Sequence, residues 1–435
     1  MATPDFHSLL DYGTAEEARA PAALTGRELQ ELVNPVSCEE FVRSYFSRVS
    51  LNVEGHPNRF DHIFSWERLK HALARGKSIS DKSHNITASF TSGEESASSQ
   101  GMISAQHDQV GKLLNAGATI CISNIHMADP FLAEWAQAIR AQLNFTGTVG
   151  VHCYVSPDNS GLPMHFDRRI ATTLQIAGKK RWRFSTESAN PWPMDNGVYK
   201  QGRIEPVRTN AGKLPADMEF REVELKPGDM LCLPAGAWHS ARGVGFSLAL
   251  NLYFAPRNLF LQLSPLIQEF AVANEHWRGG PPATVEMTRG KMPGAVKAYM
   301  RERLDEFHRL AVQFIEGPDA LAESWLNALT LDPYAGWQPA PNVSMPRVTP
   351  TQRFRIANSS FHYVEINGHV IVSSDYGALR FPATFAPILQ RLSSGPVSFS
   401  IPEVLSWQQM PGGPTPEEIL SHLAILYKGG LLRPV

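Results

Sequence analysis

Between about residues 117 and 255 the sequence breaks into short apolar runs separated by Gly, Pro, Asn and Asp, and this texture restricts that part of the chain to a strand-rich fold. The runs include Ala118-Thr-Ile-Cys-Ile-Ser123, Thr148-Val-Gly-Val-His-Cys-Tyr-Val155, Arg181-Trp-Arg-Phe184, Asp229-Met-Leu-Cys-Leu233 and Phe246-Ser-Leu-Ala-Leu-Asn-Leu-Tyr253. One stretch of helical period, Pro130 to Leu143, interrupts them. Parallel strands each need a crossover, usually a helix, so many short strands with little helix between them predict an antiparallel barrel or sandwich.

The flanks read differently. Ser37-Cys-Glu-Glu40 is a capping box ahead of Phe41, Val42, Tyr45 and Phe46. Residues 86 to 102, ITASFTSGEESASSQGM, read as an exposed loop. Helical period returns through Leu259 to Trp277, Gly294 to Ile315 and Asp319 to Leu329, with broad apolar faces that include Leu259, Leu261, Leu263, Leu266 and Ile267. Pro333 to Pro350 reads as a linker. In the last helix Thr415-Pro-Glu-Glu418 forms a capping box with Pro at the first helical position, and Gly429-Gly430 follows as the stop. At 435 residues the chain exceeds what one core usually organises. The expected division is a helical or mixed lead-in at 1–100, a barrel at 101–255, a helical region at 256–335 and a small domain at 350–435.

With 40 Lys and Arg against 42 Asp and Glu, nothing in the overall charge calls for nucleic acid or a membrane surface as partner. The cysteines, Cys38, Cys121, Cys153 and Cys232, are scattered without a C-x-x-C pair, which fits a reducing compartment and neither a disulfide framework nor a structural zinc site. The first residues lack a basic segment followed by an apolar one, and no apolar run approaches the roughly 20 residues a bilayer requires. A soluble cytoplasmic protein is expected.

The chemistry concentrates at His165-Phe-Asp167. In a strand, residues two apart share a face, so His165 and Asp167 aim at one point and Phe166 faces away. His239, after Leu231-Cys-Leu-Pro-Ala-Gly-Ala-Trp238, supplies a third ligand from a distant strand. Two imidazoles and one carboxylate form the facial triad of non-haem iron(II). With 15 histidines, however, an H-x-D triplet arises by chance about once in a chain this long, so the triplet alone says little.

The context says more. Ala171 to Phe184 reads as a hairpin with its turn at Gly178-Lys179. On its second strand Lys180, Trp182 and Phe184 share the apolar face, while Lys179, Arg181 and Arg183 share the other. Lys180 is then the one cation of the cluster that points inward, where an unpaired ammonium is costly and an anionic partner is expected.

The runs GLPMHFDRRIATTLQIAGKKRWRF and KPGDMLCLPAGAWHSARGVGFSLALNLYF resemble the bacterial ribosomal-oxygenase-like branch of the JmjC proteins. The resemblance implies an α+β chain. It would comprise a double-stranded β-helix of the cupin or jelly-roll type, a helical lead-in, a helical dimerisation region after Phe254 and a winged-helix-like end. It places the iron(II) ligands on His165, Asp167 and His239, and the 2-oxoglutarate lysine on Lys180. It also implies hydroxylation of a C–H bond of a protein or peptide side chain, with 2-oxoglutarate and dioxygen consumed and succinate and carbon dioxide released. Asn251 falls where a polar residue of the family faces the cosubstrate. Two departures stand out. His152-Cys-Tyr154 occupies the place of the family's Asn-x-Tyr, so His152 and Tyr154 line the cavity by alternation, and Arg168 and Arg169 follow where a second acidic residue is common.

Three other readings compete. One keeps the oxygenase chemistry for a small molecule or a biosynthetic peptide. Another keeps the barrel without 2-oxoglutarate, as a cupin isomerase or a non-catalytic scaffold, and the inward Lys180 argues against it. The third makes the chain a DNA-binding regulator through residues 350–435. That segment holds six Lys or Arg and five Asp or Glu, and Glu417 and Glu418 open its last helix, so DNA binding is not expected and a protein-interaction or structural module is.

Overall fold

The computed structural model describes residues 24–76, 85–90, 103–205, 212–285, 291–317, 322, 324–326, 328–329, 352–356, 362–366, 368–374, 377–394, 398–407 and 413–435. They form two compact units, the first ending at Pro256 and the second beginning at Arg257. No helix among the described residues is long and apolar enough to cross a membrane.

The first unit contains β1 (Leu51–Val53), β2 (Ile86–Ser89), β3 (Ile103–Ala105), β4 (Thr119–Ile122), β5 (Thr148–Pro157) and β6 (Gly161–Phe166). It continues with β7 (Ile170–Ser185), β8 (Gly197–Lys200), β9 (Arg203–Glu205), β10 (Phe220–Leu225), β11 (Met230–Leu233) and β12 (His239–Ala255). Its main path runs β1-β11-β7-β12-β5-β4-β2-β3, and every pairing is antiparallel. The end of β7 also pairs with β10, and the start of β12 with β6, from which β8 and β9 continue. The two long strands thus serve two layers, as in a jelly roll of the cupin type, with the layer change near the middle of each.

That layer change corrects the predicted hairpin. Gly178 and Lys179 are not a turn; β7 runs unbroken through them and pairs with β12 from Ile170 to Phe184. What the sequence marks at Gly178 is a bend. Its φ is +66°, and a Cβ there would lie 2.1 Å from the carbonyl oxygen of Phe246, so only glycine lets the two backbones cross. The predicted loop at 86–102 is also corrected in part. Ile86–Ser89 is a strand paired on both edges, because Ile86 and Ala88 bury their side chains in the core, while 91–102 lie outside the described residues.

The helices that accompany these strands among the described residues include α1 (Glu28–Val33), α2 (Trp66–Gly76), α3 (Val110–Asn115) and α4 (Pro130–Gln142). Helix α4 starts where Asp129 accepts the Leu132 N–H and Pro130 takes the first helical position. It packs on β5 and buries Leu132, Trp135, Ala136 and Ile139 in the main core. The Asp129 carboxylate also pairs with Arg68, which ties α2 to the start of α4.

The second unit contains α5 (Leu259–Ala273), α6 (Gly294–Glu316), β13 (Arg353–Ile356), β14 (Tyr363–Ile366), β15 (His369–Ser374), β16 (Gly377–Pro382), α7 (Ala386–Ser394), β17 (Phe399–Ser400), α8 (Ile401–Ser406), α9 (Pro416–Lys428) and β18 (Leu432–Pro434). Its strands form two three-stranded sheets, β17-β13-β18 and β14-β15-β16. The capping box predicted at α9 is present in both directions, and Gly430 follows with φ +74°. The predicted linker, Pro333 to Pro350, lies outside the described residues, as does the side chain of Leu266.

Candidate metal centre

His165 and His239 are direct cross-strand partners on β6 and β12, with ring centroids 4.2 Å apart. Asp167 follows the end of β6, and one carboxylate oxygen lies 3.8 Å from His239 Nε2. The potential ligand atoms of the three residues all fall within 4.8 Å of one another. Between the first two ligands Phe166 turns away, fully buried against Trp238 with ring centroids 4.7 Å apart. Strand alternation predicted this division.

The backbone fixes which nitrogens face the centre. His165 Nδ1 lies 2.8 Å from the Pro163 carbonyl, and His239 Nδ1 lies 2.9 Å from the Ala237 carbonyl. A carbonyl only accepts, so each Nδ1 carries a proton and donates it, leaving both Nε2 lone pairs free for a metal. Burial and the neighbouring His165 pull His239 down to about 4, against the opposing pull of Asp167, so the ring is neutral at pH 7. The ligands are also tied to one another: the Gly236 N–H in the β11–β12 connection donates to the Asp167 carbonyl over 2.8 Å. Trp238, wholly buried, accepts the Ser185 N–H at its carbonyl and donates its own N–H to Ser185 Oγ, which fixes the backbone immediately before His239.

Beyond the triad the wall continues through Tyr154, Thr173, Lys180, Trp182 and Asn251. Lys180 is 4% exposed, its ammonium donates to Ser156 Oγ over 3.1 Å, and it lies 5.6 Å from the Tyr154 ring centre. No carboxylate among the described residues forms an ion pair with it. Burial pulls Lys180 down to about 8, which corresponds to about 3 kcal/mol less preference for the charged form. Two further polar atoms here are buried without a partner, Trp182 Nε1 and Asn251 Oδ1. A metal, an anion beside Lys180 and a polar ligand between them fit this donor set, since each satisfies a group the protein leaves open.

On the outer side the centre opens into a cavity of about 510 Å³ whose lining includes His152, Tyr154, Asp167, Arg168, Arg169 and Asn251. His152 Nδ1 accepts the Asn124 N–H at 3.0 Å, and its ring stacks on Tyr253 with centroids 4.5 Å apart. Burial, then the charge of Arg169, pushes His152 down to about 3. The seven site residues predicted from the sequence border two neighbouring cavities, which share Tyr154, Asp167 and Asn251 in their walls.

Sequence reasoning missed Ser156 and Thr173. Ser156 needed only the alternation of His152 and Tyr154 extended by one step, since Ser247, Ala249 and Asn251 face all three in register. Thr173 was hidden, because it stands at an odd position of β7 and Lys180 at an even one. The structure resolves this with a bulge: Ala177 and Gln175 pair with adjacent β12 residues, so Ile176 is extra and the phase of the strand changes.

Fold and site thus define an antiparallel jelly roll with two histidines and a carboxylate clustered at one end of its interior. Residues 126–259 match the family model of the JmjC domain, and this segment is a JmjC domain. Two curated relatives align with more of the chain. "Uncharacterized protein YxbC" of Bacillus subtilis (strain 168) is 26% identical over 264 residues, covering 56% of this chain and 76% of that protein. "Bifunctional lysine-specific demethylase and histidyl-hydroxylase NO66" of Drosophila willistoni is 26% identical over 309 residues, covering 67% of this chain but only 38% of that protein. The solved structure of YcfD, a ribosomal oxygenase from Escherichia coli in complex with cobalt and 2-oxoglutarate, superposes with a TM-score of 0.55 at 12% identity, over 92% of this chain and 98% of that one. That likeness shows a shared fold.

Proposed function

We propose that the chain is an iron(II)- and 2-oxoglutarate-dependent oxygenase that hydroxylates a C–H bond of a protein or peptide side chain. The observation that carries this reading is the pairing of a two-histidine, one-carboxylate cluster with a buried lysine that no carboxylate of the described protein neutralises, in a single cavity. The JmjC match and the 2-oxoglutarate complex of YcfD support it. Iron(II) with 2-oxoglutarate and dioxygen supplies the oxidising power for the C–H bond.

The protein's part is to hold and to orient. His165, His239 and Asp167 would hold the metal, and the backbone carbonyls behind the two imidazoles leave their Nε2 atoms free to bind it. Lys180 takes the far carboxylate of the cosubstrate, while Ser156 holds the ammonium in place. Tyr154, Trp182 and Asn251 offer hydrogen bonds along the same wall. The space between the triad and Lys180 is narrow, about 30 Å³, and Leu162 and Trp182 are among the residues that line it. The substrate enters through the outer cavity, past His152 and the two arginines.

The deciding experiment is an anaerobic titration with Fe(II) and 2-oxoglutarate, followed by succinate detection on admitting oxygen, with His165→Ala as reference. Succinate no higher than in the variant, with candidate peptides present, defeats the reading.

The second unit has a role of its own in this proposal. Leu259, Phe260, Leu261 and Val272 on α5 are 49–72% exposed, and Leu304 on α6 is 61% exposed. An apolar surface of this kind is covered by a second copy in a homodimer. Sedimentation showing a monomer at micromolar concentration would count against it. The C-terminal segment, winged-helix-like by its sequence, serves protein contacts rather than DNA, with the acidic pair Glu417 and Glu418 in the first turn of α9. The expected setting is the cytoplasm.

A further inference from the structure

We infer that His152 and Arg169 together form a receptor for a carboxylate, and that the substrate of this site carries an acidic group beside the position oxidised. The inference rests on the oxygenase reading for the word substrate, but the receptor itself stands on geometry alone.

The argument begins with proton placement. The Asn124 backbone N–H points at His152 Nδ1 over 3.0 Å, and an amide can only donate. Nδ1 therefore keeps its lone pair, and the proton of the ring sits on Nε2. That nitrogen lies 3.5 Å from Arg169 Nη1, and a guanidinium also only donates. Two donors face one another across a gap that neither can close. Such a pair is satisfied by one acceptor placed between and in front of them, within about 3 Å of both.

Among the described residues no carboxylate supplies that acceptor, since none forms an ion pair with Arg169. The two donors are nevertheless held firmly. Tyr253 stacks on His152 with ring centroids 4.5 Å apart and carries the Arg169 guanidinium over its ring at 4.5 Å. Its hydroxyl donates to Asn124 Oδ1 over 2.8 Å, and the same Asn124 fixes His152 from behind. Both donors line the outer cavity with Asp167, so a group bound there is brought next to the metal ligands. Arg168, exposed on the same cavity, adds a second positive charge. A planar carboxylate matches a guanidinium fork better than a neutral carbonyl does, and its hydrogen bonds to charged donors are about twice as strong.

The test uses the full-length protein loaded with Mn(II) and 2-oxoglutarate without oxygen, and two matched pairs of random heptapeptide pools. One pair is capped at both ends and differs only in a central Glu or Gln; the other has a central Gln and either a free or an amidated C-terminus. Retention is read by affinity capture and mass spectrometry. The expected result is about tenfold greater retention of the acidic member in one pair or both. Preference in the first pair assigns a side-chain carboxylate, and preference in the second a terminal one. Arg169→Gln abolishes the preference, and Arg169→Lys restores part of it. Equal retention within both pairs by the native protein, or a preference that Arg169→Gln leaves unchanged, overturns the inference. Mn(II) and 2-oxoglutarate affinities, measured alongside without peptide, report separately on the oxygenase reading. A protein that selects acidic peptides without binding 2-oxoglutarate keeps the receptor and loses the oxygenase.

Discussion

Lys180 Nζ donates to Ser156 Oγ over 3.1 Å, and this hydroxyl rather than a carboxylate is what holds the ammonium in the barrel. A serine hydroxyl positions the charge without neutralising it. The site is therefore prepared for an anion at a cost in the empty state that bound anion relieves.

Removing the ammonium should weaken the cosubstrate far more than the metal. Lys180→Ala is expected to raise the Kd for 2-oxoglutarate by about 2–5 kcal/mol, at least about thirtyfold, with Mn(II) affinity little changed. Anaerobic calorimetry with Mn(II) in place of iron measures both. Equal losses for the two would remove Lys180 from its proposed role.

The same lysine sets a pH dependence. Burial lowers Lys180 to about 8, so its charged fraction is nearly complete at pH 6.5 and falls as pH rises through about 8. The diacid stays fully ionised throughout this range. Affinity for 2-oxoglutarate is thus expected to be constant at neutral pH and to fall above about pH 8, by up to about tenfold per pH unit. Lys180→Arg, charged throughout, should flatten the profile, and titrations between pH 6.5 and 9.5 would show it.

Metal binding is expected to need His165, Asp167 and His239 together. Asp167→Ala should lower Mn(II) affinity by more than about a hundredfold, since loss of a supporting residue outside the ligand set already costs about 10–100-fold. Thermal stability without metal is expected to stay within about 1 kcal/mol, because Asp167 is a quarter exposed and the imidazole beside it, His239, is uncharged at neutral pH. Electron paramagnetic resonance of bound Mn(II) and a melting curve separate the two effects.

The bend in β7 gives a purely structural prediction. Gly178→Ala places a methyl on the Phe246 carbonyl oxygen and forces a non-glycine residue to positive φ, which should cost about 2–4 kcal/mol. Gly280→Ala, where nothing lies within 4 Å of the new atom, should change stability by less than about 0.5 kcal/mol. Chemical denaturation of both variants makes the comparison.

Much of the site was legible because alternation is a local rule. His165, Phe166 and Asp167 divide between two faces as their spacing requires, and Lys180, Trp182 and Phe184 are buried while Lys179, Arg181 and Arg183 are not. The α9 boundaries were legible for the same reason, since a capping box and a terminal glycine act within one turn. The hairpin at Gly178 was misread because glycine marks any backbone that other residues cannot adopt, a bend inside a strand as well as a turn between two.

The sequence by itself determined the residue types of the candidate centre, the faces of His165 and Asp167 and the inward direction of Lys180, each of which depends on neighbours two to four residues away. Only the tertiary structure decided that β7 and β12 cross between layers together, that Ile176 is extra and brings Thr173 to the wall of Lys180, and that His239 stands opposite His165. It also decided that His152 accepts from Asn124 and so faces Arg169 as a donor. Those relationships depend on strand register between distant segments, and register is set by the packing of the whole core rather than by any short stretch of chain.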